Sequence, residues 1–223
     1  MIRMRRARRV GCDISKRANC CLKGERLKTG LWLFRRRETE MRILIVTGDG
    51  GESFETLYAV QRMREEGYEA LVAAPAARRL HLVIHDFEPG WDTYVERSPG
   101  YGVVADLAFE DVRVEDFDAV VLIGGRAPEY LRNRPVVVEM VRAFDRQKKW
   151  IFALCHGMQI LVTAGLVQGK CLTCYEHVRP ELELAGGTWV AAQAARDGRY
   201  VTGQTWESHP EFYREVMQCL KAG

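Results

Sequence analysis

The chain has 223 residues, of which 47% are hydrophobic and 28% are charged, as is typical of a soluble globular protein. This length allows one sizeable domain with a well-buried core. No apolar run is long enough to cross a bilayer, so we expect no membrane association. The net charge of +3 is uneven, since residues 1–40 hold 13 Lys and Arg against 4 Asp and Glu, whereas residues 41–223 hold 20 against 26. The acidic balance of the larger part argues against nucleic-acid binding.

The first forty residues form a basic leader without a clear period. Three interpretations are open: an organelle transit peptide, a basic arm for an acidic partner, or a spurious extension, since Met41 directly opens a strand pattern. We expect disorder or an extension, because so polar a segment buries too little surface to fold. The domain is therefore predicted to span residues 41–223.

The seven cysteines indicate a reducing, cytoplasmic setting, because their number is odd and no secretory signal is present. Cys171 and Cys174 have C-x-x-C spacing, but a zinc site needs a second ligand pair, and His177 is the only further ligand nearby. We therefore expect ordinary residues on a strand and its exit. Neither a metal nor a cofactor is predicted.

Strand and helix patterns alternate from residue 41 onward. Aliphatic runs such as RILIVTG (42–48) predict strands that are buried on both faces. The predicted strands are 42–48, 68–75, 117–125, 150–155, 170–175, 187–190 and 199–204, and the predicted helices are 53–67, 134–149, 156–165, 178–185 and 208–220. The alternation predicts an α/β fold, a three-layer α/β/α sandwich with a mostly parallel, flavodoxin-like sheet.

A long segment, 76–112, interrupts this alternation. It is rich in Asp, Gly and Pro. It also carries five aromatic residues, namely Phe87, Trp91, Tyr94, Tyr101 and Phe109. An ordered insertion of this kind predicts a functional loop or a small accessory sheet.

Three chemically unusual stretches follow predicted strands: GDGGES (48–53), GGRAPE (124–129) and CHG (155–157). In parallel sheets, sites form outside the carboxyl ends of the strands. Cys155 lies at a strand-to-helix junction, where unpaired helix N–H groups favour thiolate, so we expect its pKa to lie below about 8.5. A sharp turn there predicts strained backbone angles. Neighbouring side chains on a turn point apart, so we expect His156 to act on a substrate atom rather than on the thiol.

Two of these stretches carry a family resemblance. ALCHGMQIL (153–161) together with GGRAPEYLR (124–132) resembles the PfpI/ThiJ superfamily, and the resemblance runs from about Met41 to Leu220. HDF (85–87), YVER (94–97) and TWESHPEF (205–212) are similar to the longer members, including the plant cofactor-independent glyoxalases. The resemblance implies the fold of class I glutamine amidotransferase domains.

The resemblance also implies a site. Cys155 corresponds to the nucleophile, His156 to its adjacent histidine, and Glu52 to a glutamate just after the first strand. A carboxyl beside the sulfur is expected to be protonated and to hydrogen-bond the thiolate, because like charges in contact disfavour each other. Glu55, one helical step further, is the rival for this position. An acidic residue at a helix start, stabilised by the dipole, is the structural alternative for Glu52.

The remaining candidates would bind substrate or join subunits. The backbone N–H groups of Gly124 and Gly125, with that of His156, are expected to bind an oxyanion. In protease-like members the glutamate at the position of Glu129 reaches the histidine across a subunit interface, which implies a homo-oligomer. An interpretation with equal support is that Arg126 and Glu129 form a solvated ion pair on the surface.

The leading hypothesis is a cofactor-independent glyoxalase or deglycase that acts on small aldehydes such as methylglyoxal. The alternatives are a PfpI-type cysteine peptidase and a non-enzymatic redox sensor or chaperone. A third alternative is a glutamine amidotransferase-like protein with a triad of Cys155, His209 and Glu211. Ser208 and Glu211 also have the spacing of a capping box for the last helix, while His209 is a candidate for the pocket lining.

Overall fold

The computed structural model describes residues 41–222, so the predicted leader lies outside the described residues. The strands, numbered in chain order, are β1 Arg42–Val46, β2 Glu69–Ala74, β3 Arg79–His81, β4 Ile84–Asp86, β5 Val95–Arg97, β6 Gly102–Val104, β7 Leu107–Ala108, β8 Ala119–Leu122, β9 Trp150–Leu154, β10 Cys171–Leu172, β11 Thr188–Trp189, β12 Ala194–Asp197 and β13 Tyr200–Gly203. The α-helices are α1 Ser53–Glu65, α2 Ala127–Leu131, α3 Pro135–Arg146, α4 Met158–Thr163, α5 Arg179–Leu184 and α6 His209–Ala222.

The central sheet contains seven strands in the order β12-β13-β9-β8-β1-β2-β7. All neighbouring pairs are parallel except β12 with β13, which pair antiparallel at one edge. Ile43 of β1 pairs with Ala70 of β2 and with Ala119 of β8, so β1 is an interior strand of the sheet. The predicted mostly parallel α/β sheet is confirmed.

The sequence of the inner strands explains their place. All four residues of β8 and the last four residues of β1 are buried, and a strand that is apolar on both faces requires cover on both faces. Helices α1 and α6 contact each other, with the rings of Tyr58 and Tyr213 5.1 Å apart. Arg142 of α3 donates a hydrogen bond to the carbonyl of Ala164, just after α4.

Segment 76–112 is ordered into small sheets, as one of the two sequence interpretations predicted. Strand β3 pairs antiparallel with β6, and β4 pairs antiparallel with β5. Strand β7 then joins the main sheet beside β2. Glu52, at the end of the β1–α1 loop, forms an isolated bridge with Val83, so the accessory strands lie next to the carboxyl end of β1.

Three local features differ from the sequence predictions. Helix α2 and strand β12 were not predicted, because α2 is only five residues long and β12 (AARD) is a partly exposed edge strand without an aliphatic run. The predicted capping box of Ser208 and Glu211 is wrong. Thr205 and Ser208 form the box instead, at a 3-10 turn (Trp206–Ser208) that precedes α6. Among the helices of the described part, none is long and apolar enough to cross a membrane.

Candidate active site

Cys155 occupies a strained turn between β9 and α4. Its φ is 54°, in the left-handed region that non-glycine residues rarely adopt. Leu154 before it is extended, and a 3-10 turn, Cys155–Gly157, follows. A Cβ on Gly157 would lie 2.5 Å from the carbonyl oxygen of Leu122, so only glycine fits this position. The strain predicted from the sequence is present, and such strain is characteristic of functional positions.

The side chains of Cys155 and His156 are in direct contact, contrary to the sequence prediction. The Sγ of Cys155 lies 3.2 Å from Nδ1 of His156. The left-handed backbone of Cys155 and the tight 3-10 turn bring the two neighbouring side chains together, whereas the prediction assumed that they point apart. The imidazole can therefore accept the thiol proton directly.

Glu55, and not Glu52, is the carboxyl group at the sulfur. The Glu55 side chain is fully buried beside Cys155, and the N–H of Gly124 donates to its Oε2 at 2.7 Å. The carboxylate of Glu52 instead caps α1, accepting from the N–H of Glu55 at 2.6 Å and from that of His85 at 3.4 Å. The assignment of Glu52 to the sulfur is thus wrong, because the N-cap residue turns its side chain onto the helix amides.

Burial decides the protonation state of Glu55. Removal from solvent, reinforced by the charge of Glu52, raises the pKa of Glu55 to about 8, although the amide of Gly124 and the sulfur of Cys155 favour the ionised form. At neutral pH the Glu55 carboxyl therefore carries a proton. A protonated carboxyl can donate a hydrogen bond to the sulfur.

The thiol itself is less acidic than the sequence suggested. Cys155 is only 1% exposed, and burial raises its pKa well above the ordinary range, with the charge of Glu55 raising it further. Hydrogen bonds from the backbone N–H groups of His156 and Gly125 oppose this shift. The expected low pKa is wrong because these two amides do not compensate for the loss of water around the thiolate. The resting sulfur is a buried thiol that needs a base.

His156 is a neutral imidazole in an aromatic pocket. Burial lowers its pKa to about 4. Its ring lies 5.8 Å from that of Tyr94 and 5.2 Å from that of Tyr175, measured between ring centroids. The hydroxyl groups of Tyr175 and Thr93 are 2.8 Å apart, which ties segment 76–112 to the chain after β10. A neutral imidazole beside a thiol is able to accept its proton.

The predicted oxyanion site is only partly available. The N–H of Gly124 is engaged by Glu55, whereas the N–H groups of Gly125 and His156 point to the sulfur. Gly124 is therefore corrected from an oxyanion donor to a partner of the buried carboxyl. Gly125 has a φ of 77°, and a Cβ there would lie 2.4 Å from the backbone nitrogen of Glu52, so this approach requires glycine.

Arg126 and Glu129 do not pair with each other. The Nε of Arg126 lies 2.8 Å from Oε2 of Glu96, and the same carboxylate lies 3.2 Å from Nε2 of His85. Glu129 is exposed on α2. The predicted ion pair between Arg126 and Glu129 is wrong, because Arg126 pairs with Glu96 of β5 instead. The role of Glu129 at an interface stays a prediction.

His209 lies apart from this cluster, between α1 and α6. Its ring stacks on Tyr58 with centroids 4.8 Å apart and contacts Phe54 edge-on at the same distance. Neither ring nitrogen has a hydrogen-bond partner among the described residues, and Glu211 is exposed. The triad of Cys155, His209 and Glu211 is therefore not formed, since nothing orients the His209 ring for catalysis.

Several residues near the site were not singled out as site residues from the sequence. His85 and Tyr94 stack with ring centroids 4.0 Å apart, and Glu96 links His85 to Arg126. His85, Tyr94 and Glu96 lie in the HDF (85–87) and YVER (94–97) stretches, whose resemblance to longer family members was the sequence signal that could have identified them as site residues. Among residues 41–222, no group of three or more His, Cys, Asp or Glu side chains is placed to hold a metal ion.

Comparisons with known proteins agree with this fold. The sequence profile of the DJ-1/PfpI family matches residues 41–219. Protein DJ-1 homolog D of Arabidopsis thaliana is 37% identical over 186 residues, which are 80% of this chain and 47% of that protein, so the chain spans about half of its length. A deglycase of Pyrococcus abyssi is 36% identical over 181 residues, which cover 81% of this chain and 100% of the relative.

A solved structure supports the fold. Drosophila melanogaster DJ-1beta superposes with a TM-score of 0.69, covering 80% of this chain and 89% of that chain. At 22% sequence identity this likeness concerns the arrangement of strands and helices.

Proposed function

Because the chain belongs to the DJ-1/PfpI family, we propose that it is a cofactor-independent glyoxalase or deglycase that acts on small reactive aldehydes such as methylglyoxal. One observation carries the proposal: the Cys155 sulfur lies against both a neutral imidazole and a protonated carboxyl in a buried pocket. Several relatives that this chain matches over their full length are named deglycase.

The first step is the addition of the thiol to the aldehyde. The sulfur of Cys155 forms a bond to the aldehyde carbon, the C=O π electrons move to oxygen, and the thiol proton passes to Nδ1 of His156. The proton then moves from the imidazole to the new alkoxide, which gives a hemithioacetal. The N–H groups of Gly125 and His156 stabilise the negative oxygen as it develops.

The second step moves a proton between adjacent carbons. The neutral His156 removes the proton from the hemithioacetal carbon, and the ketone oxygen is protonated by Glu55, so that an enediol forms. The His156 imidazolium returns its proton to the second carbon, while the hydroxyl on the sulfur-bearing carbon gives its proton back to the Glu55 carboxylate, which leaves a 2-hydroxyacyl thioester on Cys155. The two groups suit opposite roles, since burial leaves the imidazole unprotonated and the carboxyl protonated at neutral pH.

Hydrolysis completes the cycle. Water adds to the thioester carbonyl, the C–S bond breaks, and the thiol regains a proton, so the net reaction adds one water to methylglyoxal and yields a 2-hydroxy acid. Neither an external oxidant nor a reductant is consumed. Removal of the same carbonyl compound from an early glycation adduct would begin with the same attack by Cys155.

The enclosed site favours this function over the alternatives. Cys155 is 1% exposed and is walled by aromatic side chains, so an extended peptide has little access to it. A redox sensor of the kind considered from the sequence needs an accessible thiol of low pKa, and burial opposes both properties. A homo-oligomer with Glu129 near its interface remains our proposal. Light scattering on wild type and on Glu129→Ala tests it.

The test is turnover without added cofactors. Wild-type protein incubated with methylglyoxal, without glutathione and with a metal chelator, is expected to form 2-hydroxy acid, whereas Cys155→Ala is expected to form none above background. Cys171→Ala, at the exposed cysteine, is the matched control and should retain full activity. Inactive wild type, or equal turnover by Cys155→Ala, would refute the proposed function. Casein cleavage that is lost in Glu129→Ala would instead support the peptidase.

A further inference from the structure

A second cavity lies beside the Cys155 site. It has a volume of about 340 Å³, and Cys155 and His156 are absent from its lining. Its apolar walls come from four parts of the chain, with Phe54 and Leu57 on α1, Ile84 on β4, Tyr101 in the loop before β6, and Trp206 in the 3-10 turn before α6. Its volume is at the lower end of the range found for small-molecule sites, which is enough for one ring system.

A few polar groups converge on this apolar lining. Ser53 contributes a buried hydroxyl that accepts from the N–H of Tyr101 at 3.1 Å and keeps its own proton for donation. The side chain of His85 is fully buried, and its Nδ1 has no partner among the described residues. The Glu52 carboxyl also lines the cavity, as does Asp86, whose carboxylate is paired with Arg97 at 3.0 Å.

We propose that this cavity binds a small uncharged aromatic molecule that carries one hydroxyl or ring N–H group. The apolar walls bury the ring, and the serine hydroxyl, the imidazole nitrogen and the carboxyls offer partners for one donor–acceptor group. An anionic ligand is disfavoured, because it would lose its hydration beside the Glu52 carboxyl, and Arg97, which contacts the lining residue Asp86, is already paired with Asp86 and Glu88.

The cavity is connected to the reactive cysteine through the start of α1. Glu52 lines the cavity and accepts a hydrogen bond from the N–H of Glu55 at 2.6 Å, and the Glu55 carboxyl lies beside Cys155. A ligand that contacts Glu52 therefore biases the helical turn that positions Glu55. Binding in the cavity is therefore expected to change the reactivity of Cys155.

Benzyl alcohol and benzoate form a matched pair of probes, since they share a ring and differ in charge. Titration of wild-type protein by NMR is expected to give a dissociation constant for benzyl alcohol on the order of 1 mM, and binding of benzoate at least about tenfold weaker. Leu57→Trp fills the cavity and should weaken benzyl alcohol binding at least about tenfold. Leu184→Trp, at a leucine that is 89% exposed on α5, is the control and should bind as wild type does.

Three results would overturn the proposal: undetectable benzyl alcohol binding, equal binding of benzoate, or unchanged binding in Leu57→Trp. Ile84→Phe fills the same cavity from β4, and far-UV circular dichroism checks that both variants are folded. The readout is binding, so the result is independent of the proposed function.

The coupling between the cavity and Cys155 has its own test, in which benzyl alcohol should change the alkylation rate of Cys155 at least about threefold in wild type but not in Leu57→Trp. Equal rates in wild type with and without the probe would refute the coupling.

Discussion

Two of the buried histidines, His156 and His209, have pKa values lowered to the same extent but have different surroundings. Burial lowers the pKa of each to about 4. His156 lies 3.2 Å from the sulfur of Cys155, whereas both ring nitrogens of His209 are without partners among the described residues. A depressed pKa thus reports burial alone, and the neighbouring nucleophile is what distinguishes a candidate base from a packed ring.

The sheet topology explains the difference. His156 follows β9 at the carboxyl edge of the sheet, where Glu55 and Gly125 also converge. His209 begins α6 and stacks between the aromatic rings of α1 and α6, where it fills space. If this interpretation is right, substitutions in the first region change chemistry and those in the second change stability.

The largest effect is expected at the nucleophile. Cys155→Ala should lower kcat/KM for methylglyoxal at least about 1000-fold, because the covalent path is lost. Cys219→Ala, at a buried cysteine on α6, should change activity less than about threefold and thus separates loss of chemistry from loss of packing. A Cys155→Ala enzyme with kcat/KM within tenfold of wild type would show that Cys155 is not the nucleophile.

The next largest effect should separate the two histidines. His156→Asn is expected to lower kcat about 100-fold, because no other base contacts the sulfur. His209→Phe keeps the aromatic stacking and should leave kcat within about threefold of wild type. Steady-state kinetics on both variants measure this difference. A greater loss of kcat in His209→Phe than in His156→Asn would assign the role of base to His209.

The lowered pKa of His209 predicts that His209→Phe differs from wild type in acid stability. Because the folded-state pKa of His209 is depressed, its contribution to the free energy of unfolding is complete above pH 6.5 and is lost as pH falls towards about 4. His209→Phe should therefore lose less stability than wild type between these pH values, by up to about 3 kcal/mol. Urea unfolding at pH 7 and pH 4.5 measures this difference, and parallel losses in both proteins would contradict it.

The ionisation of Glu55 is expected to cause the fall of kcat on the alkaline side of the pH–activity profile. Its raised pKa of about 8 means that wild type loses the protonated carboxyl as pH rises through this value, so kcat should fall. Glu55→Gln keeps a hydrogen-bond donor and should be about tenfold less active but without this fall. Glu52→Gln should retain this fall but at a lower pH, because the charge of Glu52 no longer raises the pKa of Glu55, and a profile without the fall would return the role to Glu52.

Stability should follow the same ionisation. A raised folded-state pKa for a carboxyl stabilises the fold below the ordinary pKa of 4.5, and this contribution is lost as pH rises towards about 8. Wild type should therefore lose more stability than Glu55→Gln between pH 5 and pH 8. Thermal unfolding scans of the two proteins test this, with equal slopes as the contradicting outcome.

The smallest effect is expected at Tyr213, on the packing side of the comparison. Its hydroxyl is buried and has no partner among the described residues. Tyr213→Phe removes an unsatisfied polar atom, so the free energy of unfolding should be unchanged or higher by up to about 1 kcal/mol. Chemical denaturation gives this value. A loss of more than about 1 kcal/mol would indicate that the hydroxyl is paired in solution.

Much of the fold was predictable because buried strands leave aliphatic runs such as ILIV in β1 and AVVL in β8. The edge strand β12 and the short helix α2 leave no such pattern. Cys155 was predictable from its place between a strand and a glycine. The choice between Glu52 and Glu55 was not, because they are three residues apart and only the extended backbone of Glu52 shows that it caps the helix.

The contact between Cys155 and His156 was also out of reach of the sequence. It depends on a left-handed φ at a non-glycine residue, which no residue pattern specifies. The raised pKa of Cys155 depends in turn on complete burial by neighbours from distant segments, including Glu55 and Tyr94.

The most direct measurement of the central claim is mass spectrometric mapping of the adduct formed when methylglyoxal and wild-type protein are quenched within one turnover. The account predicts a covalent adduct on the peptide that contains the buried Cys155, despite the greater exposure of Cys171. The adduct should be lost in Cys155→Ala and should persist longer in His156→Asn. An adduct on Cys171 with Cys155 unmodified would contradict the account.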